Sequence, residues 1–181
     1  MKPYPRALIA VHWLTAVLVV AAFTLGPGGA EQRVYSSAKD FDRQVHEVLG
    51  LSVLALTVVR LAWWRLASRG APPSAPRWMN LASRLVQLIL YLLLVAVPLT
   101  AVAGAWLEGH PLTLGILGNV APPIAKDHAL GATVAKIHTL LGDTILWVAG
   151  LHAAAALLHH FALRDDVLLA MLPRRRGGAA R

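Results

Sequence analysis

The sequence predicts an all-α fold, an integral membrane four-helix bundle, and three observations predict it. Hydrophobic residues make up 57% of the chain and charged residues 14%, against roughly a quarter charged in a soluble domain. The apolar residues gather into four runs, each near or beyond the roughly 20 residues that cross a hydrocarbon core. The charges fall in short stretches between those runs.

The first run, 7–25, follows Met1-Lys2-Pro3-Tyr4-Pro5-Arg6, and Gly28-Gly29-Ala30 could pass for a cleavage site. A signal peptide has a shorter apolar core of about 7–15 residues, so the run reads as a retained helix. The second and fourth runs, 41–64 and 132–163, begin with polar residues and extend beyond the hydrocarbon. The third, 81–106, is almost wholly apolar, and Pro98 is expected to kink it. Helices are required because backbone groups in lipid must be paired within their own segment. The connection 26–40 is polar and glycine-rich, 67–80 is a proline-rich hairpin between helices, and 108–131 is broken by Pro111, Pro122 and Pro123. Residues 1–173 form one bundle domain, and 174–181 form a basic cytoplasmic tail.

Orientation follows from Lys and Arg. Twelve lie at the N-terminus, the second connection and the C-terminal end, and five lie on the opposite side: Arg33, Lys39, Arg43, Lys126 and Lys136. The positive-inside rule puts both termini in the cytoplasm. The net charge of +8 is thus a topology signal, and nucleic acid is not an expected partner. The chain has no cysteine, which excludes disulfides, thiolate metal sites and covalent c-type haem attachment.

Four of eight histidines fall within spans: His12, His46, His138 and His152. Ionisable side chains in a span are costly and usually face the interior with a partner. The alternation of helix direction sorts them by depth into two pairs, His46 with His138 towards the outer side and His12 with His152 towards the inner. Fourteen residues separate His138 from His152, about 21 Å along a helix and about 40° from the same face. His46 and His138 are each followed four residues on by glycine, Gly50 and Gly142. These leave room for a flat macrocycle against the backbone; packing between helices is the alternative use of such glycines. Two stacked b-type haems, each held by an imidazole pair, satisfy these constraints and favour electron transfer over oxygen binding. A zinc site would need three or four ligands converging at one point, which the depth sorting opposes.

These residues resemble the bacterial cytochrome b561 family across all four spans. The resemblance rests on Ala10-Val11-His12-Trp13-Leu14, on His46-Glu47-Val48-Leu49-Gly50-Leu51 through Val59-Arg60-Leu61, and on His152 through His159-His160-Phe161 with Arg164-Asp165 and Met171-Leu172-Pro173. Ala170 departs from the basic residue commoner before Met171. The resemblance implies a multi-pass protein of the bacterial inner membrane with two haem b, His12, His46, His138 and His152 as ligands, and electron exchange with ubiquinone. It also implies, for some members, oxidation of superoxide with quinone as acceptor.

Further candidates surround this core. Arg43 and Lys136 are placed to neutralise outer haem propionates, and Lys126 and Lys136 to attract an anion by local steering. Arg6 and Arg60 are placed for the inner propionates or as topology determinants. His159, near the face of His152, is a candidate quinone contact or a polar cap. His110 and His128 are expected to be solvated in the outer loop. Asp143 is expected to hydrogen-bond within the bundle, with a proton relay as the other role. Two different functions stay open, a membrane-anchor subunit for a partner dehydrogenase or hydrogenase and a haem-free transporter.

Overall fold

The computed structural model describes residues 5–28, 31–66 and 76–172. The tail 174–181 and most of the second connection lie outside the described residues. Four long helices form the chain: α1 (Arg6–Leu25), α2 (Asp40–Leu66), α3 (Arg77–Leu107) and α4 (His128–Leu158). With their flanking turns, all four are long and apolar enough to cross a membrane. Extensive packing joins α1 to α2 and α3 to α4, while α2 and α3 meet over a smaller area.

Each helix boundary has a local cause. Pro5 precedes the first turn of α1, and its carbonyl accepts from the Leu8 and Ile9 N–H groups. Asp40 and Asp42 lie in the first turn of α2, where carboxylates complement the helix dipole. The third helix begins at Arg77 rather than 81, directly after Pro76, because a fixed φ pre-organises a helix start. The fourth begins at His128 rather than 132, since the Asp127 carboxylate caps the Leu130 N–H at 3.0 Å. These two starts correct the sequence boundaries by one turn each. Pro98 sits inside α3, and the helix continues through it.

Few side chains are buried. Among the described residues the apolar ones are Ile9, Val53, Leu93, Pro98, Leu112 and Ile145, while many Leu, Val, Phe and Trp side chains face outward. A bilayer explains that inversion, because lipid is as apolar as the side chains it solvates. Thr15 and Thr57 are buried between helices, and each hydroxyl donates to the carbonyl four residues earlier, at 2.7 Å.

The end of the bundle that carries the α3–α4 connection, here the loop end, holds structure that the sequence did not signal. Leu112–Thr113 pairs antiparallel with Asn119–Val120, and the turn between them uses Gly115 and Gly118 at φ +65° and +92°. The hairpin is pinned to α2 by the Thr113 N–H, which donates to Glu47 Oε2 at 2.8 Å. His110 departs from expectation, while His128 stays largely exposed and also meets a carboxylate. The His110 ring stacks on Tyr35 with centroids 3.4 Å apart. His128 Nδ1 lies 2.6 Å from Glu108 Oε2, on a residue only 5% exposed. Buried polar groups need partners of this kind.

Gly131 makes the Glu108 site possible, since a Cβ there would stand 3.0 Å from Glu108 side-chain atoms. Gly131→Val should therefore force the carboxylate off His128 and destabilise the fold by about 1–3 kcal/mol. Thermal unfolding in detergent checks this, and an unchanged midpoint would refute the packing argument.

Candidate functional site

The four span histidines meet in two layers. His46 on α2 and His138 on α4 have ring centroids 6.0 Å apart, with planes at 86°. At the opposite end, which carries the termini, His12 on α1 and His152 on α4 have centroids 6.5 Å apart, with planes at 78°. A metal–imidazole bond of about 2 Å, with the ring centre about 1.1 Å beyond the nitrogen, puts two trans imidazoles about 6.2 Å apart. Both gaps fit one metal atom held between two rings.

Second partners orient the loop-end pair. His46 Nδ1 lies 2.7 Å from the Ala22 carbonyl of α1, and His138 Nδ1 lies 2.9 Å from the Val97 carbonyl of α3. A carbonyl only accepts, so each Nδ1 carries the proton. Each Nε2 is left with a free lone pair, the tautomer a metal-ligating histidine needs. Gly26, which ends α1, packs beside this contact, and a Cβ there would lie in ordinary contact with the His46 ring at 3.4 Å. Sequence reasoning took Gly26 only for a loop residue and could not see the two carbonyls, which leave no trace in side-chain identity.

The termini-end pair is held differently. Arg60 Nη1 donates to His12 Nδ1 at 3.2 Å, and its guanidinium also sits 5.5 Å from the centroid of the Tyr91 ring. This contact puts the His12 proton on Nε2, the opposite tautomer. A metal held through His12 Nε2 would call for the other tautomer, with the Arg60 guanidinium turned to a different acceptor.

The space beside the rings suits a flat group. A Cβ at Gly50 or Gly142 would meet nothing within 4 Å. The loop-end residues therefore fit haem by both ring gap and bare backbone, and the termini-end pair fits it by its ring gap.

The charged candidates separate into two sets. Arg43 is committed to carboxylates, donating to Glu47 at 2.7 Å and to Asp40, and it also lies over the Tyr35 ring. Its Nε is buried with no hydrogen-bond partner among the described residues. Lys136 is exposed and about 200° around the helix from His138, so it does not join the ring pair. Lys126 is also exposed, with its stem against Gly109. Arg6 is exposed at the start of α1, apart from the rings. Asp143 corrects the sequence reading: it is exposed on α4 and has no hydrogen-bond partner among the described residues.

Beyond His152, α4 widens into a π-turn over His159–Leu163 that ends at Arg164 with φ 52°. The turn brings His159 Nδ1 to 2.5 Å from Asp165 Oδ2. Partial desolvation would raise the Asp165 carboxyl, but hydrogen bonds from His159 and the Val167 N–H outweigh it and hold the group below the usual carboxylate range. Nearby, Trp13 Nε1 donates to the Met171 carbonyl at 2.7 Å, tying the C-terminal segment to α1 beside His12.

Comparison with known proteins agrees with this arrangement. The sequence profile of prokaryotic cytochrome b561 matches residues 3–174. The chain is 31% identical to the Yersinia pestis protein named "Probable superoxide oxidase CybB", over 97% of this chain and 99% of that one. It is 29% identical to cytochrome b561 homolog 1 of Escherichia coli K12, over 97% of this chain and all of the relative. Cytochrome b562 of Cereibacter sphaeroides is 28% identical over 95% of this chain and 96% of its own length. Four spans of sufficient length, paired imidazoles and a profile match along nearly the whole chain make one case: this is a multi-pass bacterial membrane protein of haem b electron transfer, and it belongs to the prokaryotic cytochrome b561 family.

Proposed function

We propose that the chain is a di-haem b cytochrome of the bacterial inner membrane, with both termini cytoplasmic. In this reading it oxidises superoxide at the loop end and reduces ubiquinone. The observation that carries the di-haem part is the pair of ring gaps, 6.0 and 6.5 Å, each matched to a bis-imidazole iron. The superoxide part draws support from the printed name of the Yersinia relative.

Haem b, when bound, supplies reversible one-electron transfer at its iron. The protein's own residues do the rest. His46 and His138 hold the loop-end group, their Nδ1–H bonds to Ala22 and Val97 fixing tautomer and ring plane. His12 and His152 hold the other, and Arg60 is the cation at hand for its carboxylates once it leaves His12. Gly50 and Gly142 leave the backbone bare for the macrocycle at the loop end.

The overall reaction balances with two superoxide anions, each giving up one electron and leaving as dioxygen. One quinone takes the two electrons together with two protons. At the loop end Arg43 is neutralised by Asp40 and Glu47, and Lys126 and Lys136 are the candidates for local attraction of the anion. At the termini end His159, oriented by Asp165, is the candidate quinone contact and proton carrier.

Haem quantified per purified chain, with a reduced-minus-oxidised spectrum, tests the reading directly. Two low-spin haems per chain are expected in the wild type, and one each in His138→Ala and His12→Ala; a wild-type ratio of one or none would overturn it. Arg60→Ala should lower the potential of one haem by about 60 mV, a tenfold change in a one-electron equilibrium, because removing a cation disfavours the reduced state. A redox titration that finds both potentials unmoved would exclude Arg60 from the haem environment. Rapid mixing with superoxide should reduce the haems and then added ubiquinone. Haems that stay oxidised would remove superoxide as the donor and leave the di-haem assignment intact.

A further inference from the structure

Asp143 has no role in the bundle just described, yet it lies deep in the membrane. It is five residues beyond His138 and nine before His152, about 8 Å and about 14 Å from those levels along the helix. That is near the middle of a 36-residue span. Carboxylates at this depth are disfavoured and ordinarily turn inward or find a partner. Asp143 instead faces outward, with none among the described residues.

One turn further on, Trp147 is 76% exposed, and its indole N–H also has no acceptor among the described residues. Tryptophan in membrane proteins normally sits at the water interface, where its N–H is satisfied. Here an orphan donor and an orphan acceptor share one face at mid-depth.

The face has the form of a helix-pairing seam. Lys136, Leu140, Asp143, Trp147, Gly150 and Ala154 are all exposed, and they alternate four and three residues apart. That spacing meshes two parallel helices in a left-handed crossing. A Cβ at Gly150 would meet nothing within 4 Å, so the backbone is open to close approach there, and membrane interfaces favour small residues with polar ones between them.

We propose that this face of α4 is the interface of a homodimer within the membrane, in which Trp147 of each copy donates to Asp143 of the other. A second copy is the occupant that the chemistry selects. A twofold axis normal to the membrane satisfies donor and acceptor reciprocally, whereas a different subunit would have to bring both an acceptor and a donor of its own. The inference is independent of which electron donor the protein uses.

The absence of native cysteine makes the test clean, since one introduced thiol reports one position. Leu140→Cys in the haem-loaded full chain, oxidised in native membranes, should give a disulfide-linked pair of this chain. Val17→Cys on α1, also exposed, should stay monomeric. Adding Asp143→Leu or Trp147→Phe should lower the linked fraction of Leu140→Cys about tenfold. Asp143→Asn, which still accepts a hydrogen bond, should retain most of it. Unchanged haem absorption in each variant shows that the fold survives. The proposal is overturned if Leu140→Cys stays monomeric, links to a different protein, or links no more than Val17→Cys. It is equally overturned if Asp143→Leu leaves linking unchanged.

Discussion

A helix in a bilayer must pair every backbone group internally, but each carbonyl oxygen keeps a second lone pair. The loop-end histidines of this chain are held by two such main-chain carbonyls, Ala22 in the last turn of α1 and Val97 inside α3. Each bond crosses between helices, from α2 to α1 and from α4 to α3, so the two extensively packed helix pairs are also the two hydrogen-bonded pairs. The imidazoles then face each other across the space between α2 and α4. Orientation of the ligands and assembly of the bundle depend on one kind of contact.

The opposite end uses a charged side chain where the loop end uses backbone. Arg60 reaches from α2 to His12 on α1, and Trp13, the next residue along, takes a carbonyl of the C-terminal segment. The two layers therefore differ in how rigidly their imidazoles are held. His46 and His138 are fixed by neighbours that cannot move without unwinding a helix. His12 is fixed by a long side chain that can swing away.

Much of this was legible from sequence because bilayers simplify the problem. Span number and the pairing of positions along the helices follow from hydropathy and helix spacing, and His12, His46, His138 and His152 stand out because histidine is rare within spans. What sequence could not supply was anything settled between distant side chains or by backbone alone. Glu47 reads as a neighbour of a ligand, yet its carboxylate joins Arg43 to the Thr113 N–H. Arg43 reads as a free cation for an anionic ligand, yet two carboxylates occupy it. The hairpin at 112–120 carries no alternating pattern long enough to register, and Asp143 points outward because face assignment on a helix depends on where its neighbours lie. His110 and His128 were similarly hidden, since their partners, Tyr35 and Glu108, are remote in sequence.

That hairpin also bears on how the protein is made. Between Glu108 and Lys126 there is no Asp, Glu, Lys or Arg, although the segment forms the longest connection of the chain. In the proposed orientation, with the loop end outside, α3 and α4 would enter the membrane as a pair while this segment is carried through. Each unit charge moved across a polarised membrane involves about 2.3 kcal/mol per 100 mV. A connection free of fixed charge between its two ends takes that electrical work out of most of the passage, and the tether to Glu47 can form only after the segment has arrived. Biogenesis and folding at this end are thereby separated in time.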